Sequence, residues 1–215
     1  MTLNHDYIEE LERRELRKLS ESELGALYQY ELRETFPPEE LKPLYTMELL
    51  REKGRYDALG LFQGPMLQGY ALMWLDGAGK YPLLDYLGVP EDQRNKGLGA
   101  EVLSLLHKRY SDARGIIAEA EAPEAAANED ERTLRQRRLG FYARCGFVTM
   151  PFDCGLFGVH YKTLLLPNGE VDEEEALQVQ LERYREHFKP EHFQRYVQLP
   201  LREGEEIRPF SKWID

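Results

Sequence analysis

Three groups of residues in this sequence are of types, and at spacings, that can do chemistry. The first is Arg94-x-x-Gly97-x-Gly99, which follows the apolar run 83–87 and opens the periodic stretch Leu98, Val102, Leu105, Leu106 and Tyr110. A strand that feeds a glycine-bearing turn at a helix start is suited to holding phosphates. Backbone N–H groups there lack helical partners, and the helix dipole favours negative charge. Glycine at 97 and 99 lets the backbone approach a ligand with no Cβ between them. The pattern is neither the dinucleotide fingerprint G-x-G-x-x-G nor a Walker A loop.

The second group is carboxylates in apolar surroundings. Glu119 and Glu121 alternate with Ala118, Ala120 and Ala122, so both point to one face of a strand. Asp85 sits inside the apolar run. Carboxylates so placed can act as proton acceptors. A solvated strand end is the other reading of the two glutamates, and a buried hydrogen-bonding role that of Asp85. The third group is the basic stripe Arg132, Arg135, Arg137 and Arg138. It can meet phosphates, or pair with the acidic stretch before it. His160, in the last strand, could face the cleft, though a lone strand histidine is more often structural.

The elements that must position these groups are legible from caps and periodicity. Residues 6–14 predict a short helix and 16–19 a short strand. Ser20-x-x-Glu23 is a capping box, which starts a helix running through Leu32 to Phe36-Pro37-Pro38. A second helix is predicted over 39–53, with Pro43 near its first turn. Residues 56–62 and 67–75 read as a hairpin. A strand over 83–89, the helix from Leu98, a strand over 115–122, a helix over 132–145, and strands over 146–150 and 158–165 follow. After the turn Pro167-Asn168-Gly169, the spacing of Leu177, Leu181, Tyr184 and Phe188 predicts an amphipathic helix. Residues 190–199 extend it as further helical turns.

Composition narrows the classes. The formal net charge of −11 over 215 residues argues against nucleic-acid binding and mildly favours cationic substrates such as amines. Hydrophobic residues at 42% supply a core. No apolar stretch reaches the length needed to span a bilayer. The N-terminus lacks a basic region followed by an apolar one, so the expectation is a cytoplasmic protein off the membrane. Two cysteines, Cys145 and Cys154, make no disulfide framework, and the histidines show no metal-ligand spacing. No metal is expected.

Set on these elements, Arg94-x-x-Gly97-x-Gly99 resembles the acyl-CoA pyrophosphate loop of the GNAT superfamily, the CoA-dependent N-acyltransferases. Phe141-Tyr142-Ala143-Arg144-Cys145-Gly146-Phe147 resembles the same superfamily's F-Y-x-x-x-G-F signature. The resemblance runs over about residues 16–165. It implies a mixed α/β fold whose central, mostly antiparallel sheet of six to seven strands is flanked by helices. An N-terminal helix (1–14), the acetyltransferase domain (15–166) and a helical C-terminal extension (167–215) would make up the chain. The activity implied is acetyl transfer from acetyl-CoA to a primary amine, of a small molecule or an amino-acid side chain, by direct attack in a ternary complex.

The same resemblance assigns residues. Leu87, Gly88 and Val89 would offer backbone groups to the pantetheine arm. Gln93, Arg94, Asn95, Lys96, Gly97, Leu98, Gly99 and Ala100 would wrap the pyrophosphate. Tyr142 would lie beside the thioester sulfur and protonate the departing thiolate. Glu119 is favoured as the base, with Glu121 and Asp85 as alternatives. Asn128 is the only counterpart of a pantetheine-touching asparagine, and it sits early. Glu34, Phe36, Glu39 and Glu40 lie where the superfamily often borders its acceptor site, and suit an ammonium group. Two other readings share the fold: a non-catalytic acyl-CoA-binding or regulatory module, and a dimerisation domain whose extension joins a homodimer.

Overall fold

The computed structural model describes residues 13–38, 40–202 and 204–210. The helix expected over 6–14 falls outside them but for its last two residues, and Glu39 lies outside as well. Arg14 opens a strand instead. In chain order the strands are β1 (Arg14–Lys18), β2 (Tyr56–Gln63), β3 (Met66–Trp74), β4 (Leu83–Gly88), β5 (Gly115–Glu121), β6 (Val148–Leu156), β7 (Val159–Pro167) and β8 (Val197–Leu201). Helices α1 (Glu21–Leu27), α2 (Leu44–Glu52), α3 (Leu98–Arg109), α4 (Glu129–Arg144), α5 (Glu173–His187) and α6 (Pro190–Tyr196) flank them. The result is a mixed α/β architecture of mostly antiparallel strands, in the order β1-β2-β3-β4 in one unit and β5-β7-β6-β8 in the other. Eight strands stand where six to seven were expected. Two compact units divide the chain: residues up to Gly77 with Leu84–Arg109, and Ala78–Leu83 with the residues from Tyr110 on.

In the first unit the capping box forms as read. Ser20 Oγ accepts from the Glu23 N–H at 3.2 Å, and Glu23 accepts from the Ser20 N–H at 2.8 Å. Arg17 adds a two-pronged contact to the Glu23 carboxylate at 2.6 and 2.9 Å, which holds that carboxyl down to about 2. Past α1 the helix widens into a π turn, Tyr28–Leu32, and closes with one short turn, Arg33–Thr35. α2 begins at Leu44, five residues later than predicted. Pro43 is extended there (φ −57°, ψ 142°), and a residue that precedes proline, here Lys42, is kept out of the helical region. β2 and β3 pair with Gln63 opposite Met66, leaving the two-residue turn Gly64-Pro65. Gly64 takes the positive φ that such a turn requires.

In the second unit β5, β7, β6 and β8 form antiparallel ladders. β6 reaches Leu156, six residues past its predicted end. Its register with β7 shifts between Thr149 and Asp153, where Pro151 removes a ladder donor and masks the strand in the sequence. Residues 197–199, predicted helical, belong to strand β8, which runs on to Leu201. Their Val-Gln-Leu alternation pairs with β6 at Leu156↔Val197 and Gly155↔Gln198. α5 follows its predicted face only in part, through Tyr184. Its buried residues are Ala176, Gln180, Arg183 and Tyr184, while Leu177 and Leu181 are only half-buried. Cys145 and Cys154 are free thiols. No described helix is long and apolar enough to cross a membrane.

Candidate active site

The glycine loop belongs to the first unit. β4 ends at Gly88, where a Cβ would fall 2.1 Å from the buried Tyr70 ring. Val89 and Pro90 lead into one 3-10 turn, Glu91–Gln93. Asn95 and Gly97 then take positive φ, 66° and 77°. No atom lies within 4 Å of where a Gly97 Cβ would project, so the space before the helix is open. The first helical bond of α3 runs from the Glu101 N–H to Gly97 O at 3.1 Å. The N–H groups of Leu98, Gly99 and Ala100 therefore precede any helical acceptor.

Side chains brace this loop from within. Lys96 Nζ donates to Asp92 O at 3.2 Å and to Gln93 Oε1 at 2.9 Å. Gln93 Nε2 donates to Asp92 Oδ2 at 2.7 Å. Arg94 is exposed and reaches Val89 O at 3.4 Å. An open helix start, two cations and a glycine at the mouth fit a diphosphate.

Asp85, in the same unit, has its carboxylate engaged. It accepts from the Tyr56 hydroxyl at 2.5 Å and pairs with Lys42 Nζ at 3.2 Å. The Lys42 ammonium lies 4.3 Å from the centre of the Trp74 ring. Next to it, the Tyr86 hydroxyl accepts from the Lys42 N–H and donates to Glu40 O, each at 2.8 Å. Phe36 packs edge-on against Tyr86. Of the two readings of Asp85, these contacts match the second: it fastens the segment that leads into α2.

Tyr142, Glu119 and Glu121 lie in the second unit. Tyr142 is 8% exposed on the last turn of α4, with its ring against Phe141 and Phe147. Burial pushes its hydroxyl up to about 12, opposed by the Arg138 charge. Among the described residues no hydrogen bond engages the hydroxyl, and burial is the main influence on it. Glu119 faces α5: Oε1 accepts from Gln180 Nε2 at 2.8 Å and Oε2 from the Tyr184 hydroxyl at 2.6 Å. Burial raises its carboxyl above the usual range, while bonds from Tyr184 and Gln180 and the Arg183 charge pull the other way.

Glu121 pairs with Arg135 at 2.9 Å and with Arg138. Arg135 also meets Glu131 and donates to Ala122 O at 2.9 Å. These two arginines pair with Glu121 on β5 and, for Arg135, with Glu131 within α4, not with the acidic stretch 123–130. Asn128 caps α4, its Oδ1 accepting from the Glu131 N–H at 2.9 Å. His160 shares Asp153 Oδ2 with Lys162, at 2.8 and 2.7 Å, and Lys162 also reaches Glu124. The oxygen and nitrogen atoms of Glu124, Asp153 and His160 cluster as metal ligands could, and the one Lys162 ammonium is shared between the two carboxylates.

Sequence reasoning missed Lys42, Gln180 and Arg183, and read Tyr184 only as part of an apolar stripe. The last three stand at i, i+3 and i+4 with Ala176 one turn earlier, a usable helical face. The apolar stripe beside it gave the stronger signal.

No protein-family sequence profile and no curated protein matches the chain. Solved structures do. A structure from Bacteroides thetaiotaomicron described as a GNAT-family acetyltransferase superposes with a TM-score of 0.64 at 21% identity, over 81% of this chain and 99% of its own. The ribosomal-protein-S18-alanine N-acetyltransferase of Escherichia coli gives 0.55 at 18%, over 75% and 97%. Spermidine N-acetyltransferase from Vibrio cholerae, solved with CoA and spermine, gives 0.54 at 11%, over 72% and 95%. The chain has the fold of the GNAT acetyltransferases.

Proposed function

We propose that the chain is an acetyl-CoA-dependent N-acetyltransferase that moves the acetyl group directly to a primary amine, of a small molecule or an amino-acid side chain, in a ternary complex. The observation that supports this reading is Tyr142, a buried tyrosine held on its ring by Phe141 and Phe147 whose hydroxyl no described residue hydrogen-bonds. The donor, when bound, supplies an activated thioester carbonyl. The N–H groups of Leu98, Gly99 and Ala100, with Gln93, Arg94, Asn95, Lys96 and Gly97 around them, hold its diphosphate. Leu87, Gly88 and Val89 offer backbone groups to the pantetheine arm. The Val89 N–H donates to the carbonyl oxygen as charge grows there.

Magnitudes rank the proton transfers. A lysine-type amine loses its proton at pH 7 at a cost of roughly 4.6 kcal/mol. A thiol with pKa ~8.5 leaves fairly well unaided. The base therefore matters more than the acid. Glu119 takes the ammonium proton, directly or through one water, and its raised pKa makes it a stronger acceptor than a free carboxylate. For Tyr142 at about 12, complete proton transfer to the sulfur is uphill by roughly 5 kcal/mol. Tyr142 instead donates a hydrogen bond that strengthens as the thiolate forms. The net charge of −11 favours an ammonium-bearing acceptor.

The first test is a thermal-unfolding scan with acetyl-CoA, CoA, NAD or ATP, followed by coenzyme A release with spermidine, free lysine or an alanine-ended peptide. At 100 times its dissociation constant a ligand adds ~2.7 kcal/mol, a shift of roughly 5–10 °C. That shift with acetyl-CoA and CoA alone, plus amine-dependent release, supports the reading; no shift overturns it. One observation favours the non-catalytic alternative: both Glu119 oxygens already accept hydrogen bonds. A thermal shift without release to any amine would select that alternative.

A further inference from the structure

Resting on Glu119 as the base, we propose that Tyr184 is its positioning residue, locked by Gln180 and Arg183, so that helix α5 is part of the acetyl-transfer apparatus. The hydrogen bonds have a direction. A guanidinium can only donate. That of Arg183, 2% exposed, gives one N–H to Tyr81 O and one to Gln180 Oε1. With its oxygen taken, the Gln180 amide turns its NH2 to Glu119 Oε1 at 2.8 Å and to the Tyr184 oxygen at 3.0 Å. The Tyr184 oxygen thus accepts from Gln180, and its own proton goes to Glu119 Oε2 at 2.6 Å. The chain from Arg183 runs donor to acceptor toward the carboxylate, and both carboxylate oxygens are held in one orientation.

Docking alone does not call for this face. Desolvating a guanidinium costs several kcal/mol, and well-packed apolar residues of similar volume often do as well or better. An i, i+3, i+4 set of Gln, Arg and Tyr aimed at one strand carboxylate is instead suited to fixing a proton acceptor's geometry and tuning its affinity. The other groups around Glu119 are the Cys154 thiol from β6 and, two residues along β5, Glu121 with Arg135 and Arg138 from α4. Tyr184 donates to Oε2 at 2.6 Å, and the Cys154 thiol also hydrogen-bonds the carboxylate. The Tyr184 bond favours the charged carboxylate, so its loss must raise the pH at which Glu119 gives up its proton.

The experiment uses the full chain with carboxyl-13C glutamate. The Glu119 signal is identified by its disappearance in Glu119→Gln and titrated by NMR in wild type and Tyr184→Phe. A lost bond to a charged group is worth roughly 1.5–3 kcal/mol, so the midpoint should rise by about one to two pH units. Coenzyme A release from acetyl-CoA, with spermidine, free lysine and an alanine-ended peptide offered together, is followed against pH. The acid limb should move up with the midpoint while the high-pH plateau persists. An unmoved midpoint, or an unmoved limb, overturns the role of Tyr184. If Glu119→Gln leaves release unchanged, the base assignment falls and this inference with it; if Glu119→Gln abolishes release and Tyr184→Phe moves nothing, only the inference falls. Should Tyr184→Phe fail to fold, Gln180→Met removes the donor to Oε1 and must raise the same midpoint, and no rise overturns the proposal.

Discussion

At Gly88 a single added methyl group would meet the Tyr70 ring at 2.1 Å. Gly88→Ala is therefore an overpacking change, expected to cost about 1–3 kcal/mol and to lower the melting temperature by ~2–4 °C per kcal/mol. Tyr142→Phe keeps the ring packing and removes the hydroxyl. It should slow amine-dependent coenzyme A release by about ten- to a hundredfold, the loss of one hydrogen bond to the forming thiolate, worth roughly 1.5–3 kcal/mol. The thermal shift with acetyl-CoA should persist; turnover equal to wild type would remove Tyr142 from the chemistry. Arg94, Gly97, Gly99 and Tyr142 stand out in the sequence as candidates because they fall in short spacings. Lys42 was not, because its partners are Tyr86, Asp85 and Trp74, far along the chain, and no local pattern links a loop lysine to a strand carboxylate. Asp85→Asn should strip the Lys42 ammonium of its counter-charge and cost roughly 3 kcal/mol, read as a lower urea midpoint with unchanged slope.

Among the elements, α1 was the easiest to read, since a capping box is chemistry written within four residues. Its Glu23 carboxyl is held at about 2, first by Arg17 and then by the Ser20 N–H. A depressed carboxyl stabilises the fold above its ordinary pKa of 4.5, and that contribution is lost as pH falls toward 2. The stability gap between wild type and Glu23→Gln, measured by urea unfolding, should thus shrink between about pH 5 and pH 2. The gap will be modest, because a third of the Glu23 side chain is exposed. α5 was harder. Its leucines advertise an apolar stripe, whereas the buried stripe is set by partners elsewhere in the chain, Glu119 and Tyr81 O. The π turn at Tyr28–Leu32 carries no sequence signal that we can name.

For the molecule as a whole, the order of strands and helices from β1 to β7 follows from alternation, caps and turns, and it sufficed to anticipate a mostly antiparallel sheet. The eighth strand did not follow. Val197–Leu201 is five residues long and comes directly after a helix, and only its pairing with β6 distinguishes it from another helical turn. The remaining polar groups there are tied down as well. Gln198 donates to Glu205 and to Glu206 O, and accepts from the Arg208 N–H.

Strand β8 is made late but lies beside β6, which leaves the ribosome some forty residues sooner. Until Leu201 has emerged, one edge of β6 shows an unpaired row of backbone donors and acceptors, an invitation to other chains. Synthesis and folding of the second unit are therefore out of step by the length of α5 and α6. Nascent chains arrested, on a linker, before β8 clears the exit tunnel should be cut readily by protease between β5 and β7. Chains arrested after it clears should resist, and equal cleavage of both would mean that the β6 edge is protected without β8.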